Sequence, residues 1–159
     1  MNYKRIIGID PDIEKSGFAL LDIASRSVEV QTLPFFDLLG ELMRNYNPDT
    51  LVVIEAVWKT KNWHYTARDS KAVVAKKGLS VGRNQQVGIL LAEFCEVTHV
   101  NYKLQPPLRK IWRGKDRKIT QAEIVQFMPI GRTNQEGRDA ALLAWCAANL
   151  PIRISPKTK

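Results

Sequence analysis

Tyr3-Lys-Arg-Ile-Ile-Gly-Ile-Asp10-Pro11 is the stretch on which the reading of the fold turns. Its isoleucines predict a buried strand over residues 3–10, and Pro11, which cannot continue a ladder, ends it. The strand therefore finishes on a carboxylate, Asp10. Beyond the polar loop 12–16, residues 17–23 and 28–33 are two more apolar segments joined by Ala24-Ser-Arg-Ser27, a hairpin connection. Three successive antiparallel strands are the economical reading. Phe35, Leu38, Leu39, Leu42, Met43 and Tyr46 then recur at the spacing of one helix face, which Asn47-Pro48-Asp49 stops. Residues 50–57 are nearly unbroken apolar sequence with one charge, Glu55, as in an interior parallel strand carrying a functional exception.

Further along, residues 58–80 mix Trp58, Trp63, His64 and Tyr65 with lysines and show no clean period. They read as a mobile or partly helical excursion. Val87, Leu90, Leu91, Phe94 and Cys95 mark a helix over about 81–95, and residues 98–104 read as a fifth strand. Pro106-Pro107 breaks the chain, and Thr120-Gln-Ala-Glu123 is a capping box opening a helix through Phe127. A last helix is expected over about 135–149. The expectation is an α/β fold on a five-stranded mixed sheet flanked by helices, with residues 1–150 as one domain and 151–159 as a basic, frayed tail.

Composition narrows the function classes. The apolar runs 51–54 and 140–148 fall well short of the ~20 residues a membrane span needs, and the basic N-terminus leads into a strand rather than a secretory signal. A soluble, cytoplasmic protein without a membrane partner is expected. Cys95 and Cys146, with the distant His64 and His99, give no zinc spacing and read as reduced thiols. The net charge is +8, and residues 56–83 and 103–118 each hold seven Lys or Arg against one acid. Fourteen of the 24 basic residues thus lie in two stretches, as a surface for a polyanion would require.

The acids are placed with equal economy. Asp10 ends the first strand, Glu55 lies in the fourth, and Glu136 and Asp139 are three apart, on one face of a helix. With a sheet order of 3-2-1-4-5 the first and fourth strands are neighbours, and the last helix need only lay its first turn over them. Two Mg²⁺ ions, about 3.5–4 Å apart and held by such carboxylates, are what phosphodiester hydrolysis can use. Oxygen ligands suit Mn²⁺ as a substitute. Each acid has a plainer alternative: Asp10 as a turn residue before proline, Asp139 as a solvated helix edge, and Glu136 as the closing residue of a capping box Thr133-Asn-Gln-Glu136. Glu55 is harder to explain away, because an acid within an apolar strand must find a partner or a cation.

Gly8-Ile-Asp10-Pro followed by Ser16-Gly17, Ile54-Glu55-Ala-Val-Trp58, and Glu136-Gly-Arg-Asp139-Ala-Ala-Leu together resemble the RuvC family of Holliday junction resolvases, over about residues 5–148. The resemblance implies a ribonuclease-H-like fold, metal binding by Asp10, Glu55, Glu136 and Asp139, and a homodimer cutting four-way junctions or other branched DNA. It also implies that Trp58 stacks on junction bases and that Arg109 or Lys110, and Lys118, meet the scissile phosphate. Lys59 and Lys61 would hold neighbouring phosphates, and helix 81–95, with Gln85, Gln86 and Gly88, would carry the dimer interface. The chain departs from the family at Asp12, usually Gly, and at Glu136, usually Asp or His. Three other functions fit the residues less well: cleavage of structured RNA, a non-catalytic nucleic-acid-binding module, and an actin-like ATPase, for which the chain is too short.

Overall fold

The computed structural model describes residues 3–60, 66 and 68–154. Its frame is one five-stranded mixed sheet of order β3-β2-β1-β4-β5. The strands are β1 Arg5–Asp10, β2 Ser16–Asp22, β3 Val28–Leu33, β4 Thr50–Glu55 and β5 Tyr102–Gln105, and the helices are α1 Phe35–Asn45, α2 Lys71–Val97, α3 Gln121–Ile124 and α4 Gln135–Ala147. β1 runs antiparallel to β2 and parallel to β4, and β4 is parallel to β5. This is the expected order, with the sheet flanked by helices on both faces.

Alternation along β1 and β4 divides the core in two. Ile7, Ile9, Val52 and Ile54 face α1 and α2 and pack with Leu38, Leu42, Val87, Leu91 and Cys95. Ile6 and Val53 face the other way, onto Ala140, Ala141, Ala144 and Trp145 of α4. Two glycines let α4 lie directly on the strands. A Cβ at Gly8 would collide with the Ala140 carbonyl, and one at Gly17 with the Glu136 carbonyl. Gly17 is the register partner of Asp10, so the first turn of α4 is seated beside the carboxylate end of β1.

Several boundaries differ from the sequence reading. The fifth strand begins at Tyr102 rather than 98, because residues 98–101 terminate α2 instead: Thr98 caps it, His99 takes a left-handed φ of 55°, and the Val100 N–H returns to the Cys95 carbonyl. α2 starts ten residues earlier than read, at Lys71, behind an N-cap Ser70 whose hydroxyl accepts from the Val73 N–H. Its first turns are mostly exposed and burial begins at Val87, so no apolar period marks them. The 58–80 excursion thus resolves into a 3₁₀ turn, Val57–Lys59, and the start of α2; Lys61, Trp63, His64 and Tyr65 lie outside the described residues. α3 carries the predicted capping box between Thr120 and Glu123 but ends at Ile124. Cys95 is buried, while Cys146 is half-buried rather than fully so; both are free thiols. Among the described residues no helix is long and apolar enough to cross a membrane.

Candidate active site

Parallel pairing sets Ile9 against Ile54, so the next step along both strands brings Asp10 beside Glu55, both on the α4 face. Glu136 comes in from the first turn of α4. The cap of this helix is not the one the sequence pointed to. Asn134 is the N-cap, its side chain accepting from the Gly137 N–H at 3.0 Å, and Glu136, one residue short of the box position, is free to point elsewhere. It lines a cavity of about 210 Å³ together with Asp10, Glu55, Trp58 and Lys118. Asp139 lies one turn further on, lining an adjoining cavity of about 150 Å³ that shares Glu55 and Lys118 with the first.

Mutual repulsion shows how closely the acids gather. Burial, reinforced by the charges of Glu55, Asp139 and Glu136, pushes the Asp10 carboxyl well above its usual range, while Lys118 opposes the shift. Burial and Asp139 raise Glu55 as well, against Lys118, Lys110 and the backbone of Leu108. Burial works against the Lys118 charge, yet its hydrogen bond to Asp139 and the charges of Asp139, Asp10 and Glu55 hold its pKa above the usual value. The site therefore carries surplus negative charge with one resident ammonium.

That ammonium shapes the present arrangement. Lys118 Nζ lies 2.6 Å from Asp139 Oδ2, and Gln135 Nε2 donates to Asp139 Oδ1 at 2.7 Å. Among the described residues no three acids, histidines or cysteines are gathered closely enough to hold a metal ion between them. The donor set itself is all oxygen, as hard divalent cations require, and its repulsion is what such a cation would relieve.

Supporting residues were only partly legible in the sequence. Glu123, read as a capping residue, is buried, and its carboxylate accepts from the Thr120 N–H at 3.0 Å and the Arg113 N–H at 3.1 Å. It thereby ties down both ends of the loop carrying Lys118. Arg138 Nε donates to the Ile119 carbonyl at 3.2 Å and its guanidinium to the Gln135 side chain at 2.9 Å, fixing α4 against the same loop. Asp12, read as a plain loop acid, accepts from the Glu14 N–H at 2.9 Å and from Asn84 Nδ2 of α2 at 2.9 Å. No positive φ occurs there, so the turn after β1 needs no glycine. Nothing in the sequence signalled Asn84, 72 residues away.

The basic and aromatic residues divide by position. Trp58 is half-buried in the wall of the acid-lined cavity, with its indole against Gly88 of α2, where a Cβ would collide with it. Gly88 is buried there, Gln85 lines the cavity and Gln86 is exposed. Lys59 is exposed beside Trp58, Arg109 and Lys110 are exposed at the second cavity, and Lys61 lies outside the described residues.

No protein-family model and no curated protein matches the chain. Among solved structures it is similar to T. thermophilus RuvC in complex with Holliday junction substrate, at 13% identity and TM-score 0.49 over 89% of this chain and 90% of that one. It is likewise similar to a Thermus thermophilus RuvC structure, at 12% identity and TM-score 0.46 over 91% and 96%. The large terminase nuclease from thermophilic phage G20c gives 15% identity and TM-score 0.32 over 91% and 84%.

Proposed function

We propose that this chain is a divalent-metal-dependent endonuclease that resolves four-way DNA junctions by paired phosphodiester hydrolysis. The observation that carries the reading is the convergence of Asp10, Glu55, Glu136 and Asp139, from β1, β4 and α4, around Lys118. Asp10, Glu55, Glu136 and Asp139 would hold two Mg²⁺ or Mn²⁺ ions, which when bound supply charge neutralisation at the attacking and leaving oxygens. With Asp139 serving as a metal ligand, the Lys118 ammonium that it now holds would be available to the scissile phosphate. Arg109 and Lys110 hold the flanking backbone, a contribution that weakens as salt rises. Trp58, beside the acids and followed by Lys59, offers an aromatic surface to a base unstacked at the branch point.

Two like cuts on a two-fold symmetric junction call for a C2 dimer. Leu79, Leu90 and Val97 are 58%, 41% and 79% exposed and, at spacings of eleven and seven, share one face of α2, with exposed Arg83, Gln86 and Glu93 between them. That face, which includes Gln86 of the expected helix but not buried Gly88, is the candidate interface. Cleavage of a four-way junction, a flap, a linear duplex and a structured RNA, measured side by side with and without EDTA, tests the reading. Metal-dependent paired nicks in the junction are expected. Preferential cleavage of the RNA, or no cleavage at all, would overturn it.

A further inference from the structure

The second cavity is bordered by two of the acids, Glu55 and Asp139, and by Lys118. The rest of its lining is apolar, made by Val57, Pro107, Leu108, Trp112, Ile119 and Leu142, except that Arg109 and Lys110 stand exposed along it. It meets the acid-lined cavity at Glu55, Val57 and Lys118. At about 150 Å³ it is smaller than the roughly 300–1,000 Å³ of sites for drug-sized ligands. A single heterocycle fits; a base pair does not.

The walls are also held in advance. Trp112 rests on Phe127, ring centroids 6.3 Å apart and 21° from parallel. Its backbone N–H donates to the Arg117 carbonyl at 3.1 Å, and the Gly114 N–H donates to the Lys118 carbonyl at 3.0 Å. The Arg113 N–H is taken by buried Glu123. A prebuilt apolar slot with cations along it and a phosphodiester-cutting centre at one end suits a nucleotide, whose backbone can follow the cations while its base enters the slot.

We infer that this cavity receives the base of one unpaired nucleotide adjoining the scissile phosphate. The inference rests on the nuclease reading above and adds a second site of base contact, on the opposite side of Glu55 and Lys118 from Trp58. Its consequence is selectivity: a paired base must first be extruded, and the cost is least where the base is already unpaired. Substrates with a free nucleotide at the cut are therefore favoured even where Trp58 has nothing to stack on.

Single abasic substitutions on each side of the cleaved phosphate of a four-way junction test this in single-turnover cleavage. At one position, on one side, loss of the base slows the wild-type protein at least tenfold. Leu108→Trp, which fills the slot, cuts the intact junction at that same reduced rate and is indifferent to the abasic site. Insensitivity at every position, or effects of Leu108→Trp and the abasic site that multiply, would overturn the inference while leaving the nuclease reading intact. The second measurement needs neither cleavage nor the Leu108 variant to fold: 2-aminopurine placed at each flanking position of the junction and titrated with the Asp10→Asn protein. Emission that changes at one flanking position, and still does so when Trp58→Ala is added, supports the slot; emission unchanged at all of them, or a change that disappears with Trp58→Ala, rejects it, whether or not the wild-type protein cuts DNA.

Discussion

Lys118 and Asp139, 21 residues apart in sequence, are joined by an ion pair of 2.6 Å at the centre of the carboxylate cluster. The ammonium stands where positive charge is most needed, and so it competes with any added cation. Lys118→Met should bind Mn²⁺ roughly tenfold more tightly, about 1.4 kcal/mol, while cutting DNA more slowly. The metal-free protein should melt about 2–4 °C lower, as loss of ~1 kcal/mol implies at this chain length. Calorimetric Mn²⁺ titration of chelator-stripped protein measures the first effect; unchanged or weaker affinity would show that Lys118 is not a competitor.

Asp10 is the most strained member of the cluster. Because burial and its acidic neighbours disfavour its charge, Asp10→Asn should raise the melting temperature of the metal-free protein while abolishing turnover, since an amide holds divalent cations poorly. Glu55→Gln and Asp139→Asn should also be inactive, with Glu136→Gln the mildest. A destabilised Asp10→Asn protein, or one with near-native nicking, would contradict this account.

The raised Asp10 value also sets a pH dependence. Above the ordinary carboxylate value of 3.8 the unfolded chain has released this proton while the folded chain still holds it, so stability falls as pH rises through the interval up to the folded value. In EDTA the melting temperature should decline on the alkaline side of the ordinary carboxylate range. Saturating Mn²⁺ should remove the decline, and so should Asp10→Asn. Thermal melts over about pH 4–8 in the two buffers check the sign.

Gly17 controls how closely α4 approaches. A methyl group there meets the backbone carbonyl of Glu136, which cannot rotate aside, so Gly17→Ala should cost about 1–3 kcal/mol, as overpacking does. Because α4 carries Glu136 and Asp139, cleavage should fall by more than the loss of folded protein. Gly40, whose added Cβ would meet open space, is the control: Gly40→Ala should leave activity unchanged. Urea denaturation midpoints together with nicking rates separate the two effects.

Trp58 has both a packing and a binding face. Its contact with Gly88 means that Trp58→Ala should lower stability modestly, whereas Trp58→Phe should keep most of it. If the indole stacks on a junction base, a contribution of about 1–3 kcal/mol, Trp58→Ala should lose at least tenfold in junction cleavage and Trp58→Phe much less. Lys59→Ala should mainly flatten the salt dependence of binding. Equal cleavage losses in the Ala and Phe variants, in proportion to stability, would reduce Trp58 to a packing residue.

Local sequence determined a good deal by itself. Ile-rich 3–10 closed by Pro11, the single charge Glu55 in an apolar run, and the three-residue spacing of Glu136 and Asp139 are patterns of period two and 3.6, and such periods are written in neighbouring residues. Two kinds of feature were not written there. Where an element is mostly exposed, as in the first turns of α2, no apolar period records it; where a turn uses strand-forming residues, as at Thr98 and Val100, propensity misleads. The capping of α4 by Asn134 instead of Thr133 was a choice between two adequate caps, and Asn134 is the one that also accepts from the Thr32 hydroxyl of β3. Tertiary structure alone decided that Lys118 pairs with Asp139, that Asn84 reaches Asp12, and that Trp58 lies on Gly88. These contacts join residues that are distant in sequence, and their energy depends on separation in space, which the packing of α2 and α4 on opposite faces of one sheet sets.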